Sequence, residues 1–166
     1  MKKPSTSCFF KKSHQIPSCD LDQIQKLIQE GGAVGTSYII ENLHNAFLIG
    51  YAMNQNKVIG TIVLKHPKEP YRKEIEAATG LDLKGFIERG YTSVDPDYRG
   101  QDIADMLIKG LIERSKGQKI YATIRMDNIH AMKLTNKNDM VLAATYINHR
   151  TGNEIGVFIN HGNQAG

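Results

Sequence analysis

The segment YTSVDPDYRGQDIA, at residues 91–104, decides the fold that this sequence predicts. An apolar strand is expected to end at Val94, and the chain then turns at Pro96 and enters a helix near Arg99. The unpaired N–H groups of such a helix, and the positive end of its dipole, favour a bound anion. Gly100 has no Cβ, so a ligand can approach the backbone closely, and Arg99 can hold a phosphate through two hydrogen bonds. The segment therefore predicts a phosphate-binding loop.

This segment, with the Val-x-Pro-x-Tyr that precedes it, resembles the acyl-CoA-binding motif of the GNAT N-acetyltransferase superfamily. That motif reads Gln/Arg-x-x-Gly-x-Gly/Ala, and Arg99 matches its first position while Ala104 matches its last. The resemblance implies that the loop holds the pyrophosphate of acyl-CoA, mostly through backbone N–H groups. The residues implied are Arg99, Gly100, Gln101, Asp102, Ile103 and Ala104.

Asp102 departs from the motif, because the family usually has glycine at this position. A carboxylate beside a pyrophosphate repels it, whereas a carboxylate turned outward would cap the helix, since Asp is favoured at helix starts. The alternative interpretation of the whole segment is an ordinary strand-turn-helix with an exposed arginine.

Length and composition bound the protein class. The chain has 166 residues, of which 40% are hydrophobic and 23% charged, which is typical of one globular domain with a single core. We expect a domain over 1–166, with a flexible tail at 161–166 and an insertion at 66–86 between the third and fourth strands. Apolar runs such as Val58–Leu64 are too short to cross a bilayer, and no apolar signal core follows the first residues. This predicts a cytoplasmic protein without a membrane partner.

Charge and metal-ligating residues give weaker signals. The net charge of +4 and the pI near 9.0 suit a polyanionic partner, but the basic residues are spread along the chain. Charge alone therefore does not separate nucleic acid from a phosphate-rich cofactor. Cys8 and Cys19 lack a disulfide or metal-binding pattern, and the six histidines have no paired acidic ligands, so we expect no metal.

The order of predicted elements is strand, two helices, three strands, helix, strand, helix, two strands, with helical composition inside the insertion. Strands are predicted at 7–13, 46–53, 57–64, 87–94, 119–124, 140–147 and 154–159, and helices at 18–31, 36–45, 71–79, 101–116 or 103–116, and 128–137. This order is that of a GNAT domain. It predicts a mixed α/β (α+β) fold with a mostly antiparallel sheet of about seven strands, a parallel central pair and about four flanking helices.

Two details of the helices follow from periodicity and capping. Thr36 or Ser37 is expected to cap the second helix. The helix after the phosphate-binding loop is expected to turn one apolar face inward. That face comprises Ile103, Met106, Leu107, Gly110 and Leu111.

The resemblance also implies residues that hold the pantetheine arm of the cofactor. In GNAT folds the fourth and fifth strands splay apart to admit this arm, and the backbone of Ser93 and Val94 matches the positions that contact it. Asn128 retains a position that contacts the arm in relatives, although an Asn after Asp127 is also a standard helix cap.

Acyl transfer to an amine requires a base, because an ammonium has no lone pair with which to attack a thioester. Glu88 is the leading candidate, since it lies six residues before Val94, on the same side of an alternating strand. Some histone-acetylating relatives carry a glutamate base there. The alternatives are that Glu88 is a solvated strand end, or that His66 or His130 serves as the base.

The acid that protonates the departing thiolate is harder to assign. The family often supplies a tyrosine here, and in the segment 128–140 this chain aligns Thr135 with it. A threonine hydroxyl is too weakly acidic and too short to replace a phenol. Tyr98, Tyr121 or water are the substitutes.

The sequence thus predicts an N-acyltransferase that moves an acyl group, with acetyl favoured, from acyl-CoA to a primary amine of a small molecule or peptide by direct attack. One alternative is a catalytically weak acyl-CoA-binding sensor or scaffold of the same fold. A second alternative is a small basic nucleic-acid-binding module. The acceptor and any homodimer are left open by the sequence.

Overall fold

The structure, a computed structural model, describes residues 5–32 and 38–160. The strands are β1 (Thr6–Lys11), β2 (Leu48–Asn54), β3 (Lys57–Lys65), β4 (Ile87–Val94), β5 (Ile120–Arg125), β6 (Val141–Ile147) and β7 (Glu154–Asn160). The helices are α1 (Ser18–Glu30), α2 (Ile39–His44), α3 (Glu69–Thr79), α4 (Ile103–Arg114) and α5 (Ile129–Lys137). The strands form one sheet in the order β1-β2-β3-β4-β5-β7-β6, in which β4 and β5 are parallel. The predicted fold class is confirmed, with five α-helices in the described ranges where about four were expected.

The chain divides into two compact units. The first contains the chain up to Lys65 together with Arg89–Arg114, and the second contains His66–Glu88 and the chain from Ser115 onward. The single domain expected over 1–166 stays a prediction, and the tail expected at 161–166 lies outside the described residues. Each described helix is too short or too polar to span a bilayer.

In the first unit, α1 and α2 bury apolar side chains against β2 and β3. Ile24, Leu27 and Ile28 are spaced three and four residues apart, so they form one buried face of α1. Burying each such side chain contributes about 1.5–3 kcal/mol. The start of α2 differs from the prediction, because its N-cap is Tyr38; Thr36 and Ser37 lie outside the described residues.

The fourth helix begins at Ile103, the later of its two predicted starts, and a 3-10 turn and an extended residue separate it from β4. Residues Pro96–Tyr98 form a 3-10 turn in which the Asp95 carboxylate accepts the N–H of Asp97 at 2.9 Å. This bond, followed by the bond from Lys57, lowers the pKa of Asp95. Arg99 is then extended, and α4 begins only at Ile103.

The buried face of α4 also differs in one residue from the prediction. Ile103, Leu107 and Leu111 are buried as expected, but Met106 is 40% exposed, and Ile108 is buried instead. The stripe that faces β2 and β3 therefore runs through 103, 107, 108 and 111, a helical period that turns Met106 toward solvent.

In the second unit, the segment between β3 and β4 contributes a helix to the core. The predicted helix is confirmed as α3, and it ends at Gly80, whose left-handed φ of 76° is the usual helix stop. The cluster that α3 and the following loop form with β5 and β7 contains Ile75, Leu83, Phe86, Tyr121, Val157 and Ile159.

We expect the substitution Gly110→Ala to destabilise the first unit, although alanine normally favours a helix. A Cβ at Gly110 would collide with the ring of Phe10, which also packs 4.3 Å from the Arg114 guanidinium. Overpacking of this kind lowers the free energy of unfolding by about 1–3 kcal/mol. Urea unfolding would measure the loss. The double variant Phe10→Leu/Gly110→Ala, with a smaller side chain at the contact, should recover part of the loss. A more stable Gly110→Ala protein would contradict the packing of β1 against α4.

Candidate functional site

The loop between the 3-10 turn and α4 has an unusual backbone. Gly100 has a φ of +78° and Asp102 a φ of +60°, so two of three consecutive residues are left-handed. A Cβ at Gly100 would meet nothing within 4 Å, and Arg99 is exposed. The carbonyl of Asp102 accepts the N–H of Met106 at 3.0 Å, which is the first bond of α4. The amides that open α4 therefore follow directly on a left-handed turn.

The left-handed backbone at Asp102 explains why the motif has glycine at this position. Only glycine adopts this conformation without cost, and Asp and Asn tolerate it better than other residues. The chain departs from the motif in residue type but keeps the conformation that glycine favours. The Asp102 residue itself is exposed.

The part of β4 in the first unit is irregular and tied to the helices. Tyr91 has a φ of +50° within the strand, and its hydroxyl accepts a hydrogen bond from Asn42 at 2.8 Å. The hydroxyl of Ser93 donates to the carbonyl of Leu27 at 3.2 Å. Side chains along β4 therefore do not alternate regularly between the two faces past Tyr91. The predicted placement of Glu88 on the same side as Val94 depends on that alternation. Because the Ser93 hydroxyl already donates to Leu27, Ser93 would contact a ligand through its backbone.

Glu88 lies at the last paired position of β4 in the second unit. It is 5% exposed, so the prediction of a solvated strand end is wrong. Glu88 pairs in register with Tyr121 of β5, whose hydroxyl donates to Glu88 Oε2 at 3.1 Å. A buried carboxylate is costly unless it accepts hydrogen bonds, so this phenol helps to keep Glu88 in the core.

Two further tyrosines lie close to this pair in the second unit. The hydroxyl of Tyr71 on α3 lies 3.3 Å from Oγ1 of Thr123, and it also hydrogen-bonds to Tyr146 of β6. Burial, followed by the charge of Glu88, raises the pKa of both Tyr71 and Tyr121. Burial also raises the pKa of Tyr146. We call Tyr71, Tyr121 and Tyr146 the phenol cluster, and its hydroxyls stay protonated at neutral pH.

The other predicted site residues have different surroundings. Thr135 is 0% exposed, and the ring of Tyr98 lies 5.8 Å from the ammonium of Lys57. The side chain of Asn128 accepts the N–H of Ala131 at 3.1 Å, so it caps α5. His66 and His130 are exposed. In residues 5–32 and 38–160, no group of three or more His, Cys, Asp or Glu side chains could hold a metal ion.

The structure thus gathers the six predicted loop residues at the start of α4 and places Glu88 beside Tyr121. Sequence reasoning missed Tyr71, Tyr146 and Thr123. They come from α3, β6 and β5, and no local spacing connects them. The one signal in the sequence was Tyr71, at the start of the predicted helix between the third and fourth strands.

We expect Tyr121→Phe to make the protein less sensitive to alkali. The folded state raises the pKa of Tyr121 above its usual value near 10, so its contribution to stability is present below about pH 10 and lost as pH rises above it. Each such phenol adds about 1.4 kcal/mol per pH unit to the slope of unfolding free energy against pH.

Urea unfolding at several pH values between 8 and about 11.5 would measure that slope. The phenylalanine side chain lacks the ionising group, so the Tyr121→Phe variant should have the shallower slope despite lower stability at pH 8. Equal slopes in wild type and Tyr121→Phe would show that this phenol is not held neutral by the fold.

Comparisons with known proteins agree with this architecture. The profile of the Acetyltransferase (GNAT) family matches residues 16–139, which is more than half of the chain. No curated protein sequence matches the chain.

Similar solved structures share the fold at low identity. A GNAT-family acetyltransferase from Streptococcus agalactiae has a TM-score of 0.70 at 15% identity, covering 92% of this chain and 94% of its own. The ribosomal-protein-S18-alanine N-acetyltransferase from Escherichia coli has a TM-score of 0.69 at 14% identity, with coverages of 96% and 97%. Arabidopsis thaliana NAA60 in complex with acetyl-CoA has a TM-score of 0.68 at 14% identity, with coverages of 93% and 99%. With the family profile, this shows that the chain belongs to the GNAT family of N-acetyltransferases.

Proposed function

We propose that the protein is an acyl-CoA-dependent N-acyltransferase that moves an acetyl group from acetyl-CoA to a primary amine by direct attack. The observation that supports this most is the left-handed turn at Gly100 and Asp102, which opens α4 in a chain of the GNAT family.

The loop residues fit the diphosphate of CoA through their backbone. The space around Gly100 is open, and the N–H groups of Ile103 and Ala104 have no acceptor within the helix because they precede its first bonded turn. The exposed guanidinium of Arg99 adds a positive charge, and Gln101 completes the loop. The carboxylate of Asp102 opposes an anion, and its exposure lets water screen that charge. The backbone therefore accounts for most of the expected affinity.

The pantetheine arm would lie along the backbone of Ser93 and Val94. Thr92 is exposed and Val94 is half-buried, so this end of β4 is accessible. Asn128 contributes less than the resemblance implies, because its side-chain oxygen already caps α5.

Glu88 is the proposed base. Acetyl-CoA supplies a thioester that is already activated, so the chain contributes mainly positioning and proton transfer. The acceptor ammonium gives one proton to the Glu88 carboxylate, and the neutral nitrogen attacks the carbonyl carbon. The N–C bond forms and the C–S bond breaks, and the second proton of the nitrogen passes through water to the leaving thiolate. Glu88 then releases its proton to solvent. The products are an N-acetyl amine and CoA.

A protein acid is not needed for this reaction. Thr135 is fully buried, and phenols of raised pKa are poor proton donors, so Tyr121 serves better as a hydrogen-bond donor to Glu88. The predicted acid Tyr98 therefore has no required step in this reaction. The sensor alternative would show acetyl-CoA binding without turnover, and neither the family nor the fold favours the nucleic-acid-binding alternative.

We expect Arg99→Ala to weaken acetyl-CoA binding about tenfold, because it removes a charge-assisted contact to phosphate. Isothermal titration calorimetry would measure the dissociation constant. Lys116→Ala is the control, since it removes an exposed cation two residues after the end of α4. Equal affinity in wild type and Arg99→Ala would remove Arg99 from the binding loop.

The variants Asp102→Gly and Asp102→Ala separate charge from backbone conformation. Both remove the carboxylate, so both should bind CoA more tightly if that carboxylate faces the phosphates. Only glycine relieves the left-handed backbone, so Asp102→Gly should exceed Asp102→Ala in stability by about 1 kcal/mol. Calorimetry and thermal unfolding measure the two effects. Unchanged affinity in both variants would mean that the carboxylate faces solvent, and equal stability would contradict the left-handed conformation.

A further inference from the structure

We propose that Asp95 and Lys57 are positioning residues for the loop at residues 99–104, and that together they set its affinity for the diphosphate of the cofactor. Asp95 shapes the backbone that leads into the loop. Lys57 neutralises the Asp95 carboxylate, so that Arg99 keeps its charge for the diphosphate. The inference rests on the proposed function and names two further residues of the same site. All of these residues lie in the first unit.

Asp95, the residue directly after β4, fixes the backbone in front of the loop through four polar contacts. Its N–H donates to the carbonyl of Ile59 in β3 at 2.8 Å, and its carbonyl accepts the N–H of Tyr98 at 2.9 Å. One carboxylate oxygen accepts the N–H of Asp97 at 2.9 Å, and the other lies 3.0 Å from the ammonium of Lys57. The side chain therefore closes the 3-10 turn from which the loop begins, in the manner of an Asx turn.

The turn and the loop carry more negative than positive charge. The stretch from Asp95 to Asp102 contains three carboxylates, one of them at Asp97, and one cation, at Arg99. The side chain of Asp95 is 15% exposed, so solvent screens its charge less than it screens the charges of the two exposed aspartates. Lys57, at the start of β3, is the cation that lies against this carboxylate. Without it, the least screened negative charge would oppose a diphosphate.

Lys57 also affects which anion Arg99 pairs with. The N–H of Asp97, then Lys57 and, more weakly, the charge of Arg99 lower the pKa of Asp95, so both cations act on this carboxylate. The hydrogen bond to Asp95 is the main cause that raises the pKa of Lys57, so its ammonium stays charged at neutral pH. With Lys57 in place, the exposed guanidinium of Arg99 can turn to an external anion. In its absence, Asp95 and the diphosphate would compete for Arg99.

The variants Asp95→Asn and Asp95→Ala separate the turn from the charge. An asparagine oxygen can still accept the N–H of Asp97, whereas alanine cannot. We therefore expect Asp95→Ala to weaken acetyl-CoA binding about tenfold, and Asp95→Asn, which also loses a negative charge, to bind at least as tightly as the wild type. Isothermal titration calorimetry measures the dissociation constants. Equal affinity in the two variants would overturn the role of the turn.

The role of Lys57 is tested in two backgrounds. Lys57→Ala should weaken acetyl-CoA binding about threefold, since Lys57 is 54% exposed and the effect is partly screened. The loss should be smaller when the same substitution is made in Asp95→Asn, because no carboxylate is left to neutralise. Lys57→Arg keeps the cation and should bind like the wild type. Lys26→Ala is the matched control, since Lys26 is an exposed lysine of the first unit with its own ion pair to Glu30.

Salt distinguishes the two effects from a general loss of folding. At about 0.5 M NaCl the loss caused by Lys57→Ala should shrink, while the loss caused by Asp95→Ala should persist, because only the first is a charge effect. No loss in Lys57→Ala, or a loss of equal size in the wild type and in Asp95→Asn, would overturn the coupling of Lys57 to Asp95. If Asp95→Ala does not fold, the Lys57 comparison decides the inference.

The same titrations separate this inference from the proposed function. No binding of acetyl-CoA by the wild type overturns the proposed function and this inference with it. Binding by the wild type that Asp95→Ala and Lys57→Ala leave unchanged overturns this inference alone.

Discussion

The contact between Ile103 and Gly60 is the constraint on which the candidate cofactor loop depends. A Cβ at Gly60 would lie 2.8 Å from Cγ2 of Ile103, so α4 can pack this closely on β3 only because residue 60 is glycine. Ile103 is the first residue of α4 and is 2% exposed. The loop before it must therefore reach a fixed point, and it does so through left-handed residues at Gly100 and Asp102. The amides at the helix start are held by the core and not by the loop alone.

In the second unit, a buried carboxylate imposes a comparable constraint. Glu88 occupies the parallel pair of β4 with β5 at 5% exposure, and the hydroxyl of Tyr121 donates to it. Keeping such a charge in a core requires hydrogen-bond donors, and the neutral phenol of Tyr121 supplies one. The helix α3 then places the hydroxyl of Tyr71 3.3 Å from Thr123 of β5. Glu88 and the hydroxyl of Tyr121 are thus part of the core packing of this unit.

The order and type of the elements could be predicted because their signals are local: alternating apolar residues, helical periodicity, and stops such as Gly80. Local patterns could not choose between the two predicted starts of the fourth helix, at 101 and 103. The left-handed backbone at Asp102 excludes the earlier start, so α4 begins at Ile103. The loop at residues 99–104 could be singled out from the sequence because it is a contiguous motif. The phenol cluster was not, because it joins residues from α3, β5 and β6 that only the tertiary fold brings together.

The central claim is that backbone amides at the start of α4 bind the diphosphate of CoA. Amide hydrogen exchange of the protein, alone, with CoA and with pantetheine, tests it most directly, since pantetheine has the arm but no diphosphate. We expect CoA to slow exchange in residues 100–104 and pantetheine to leave it unchanged. Protection by CoA elsewhere, with exchange in residues 100–104 unchanged, would contradict binding of the diphosphate by these amides.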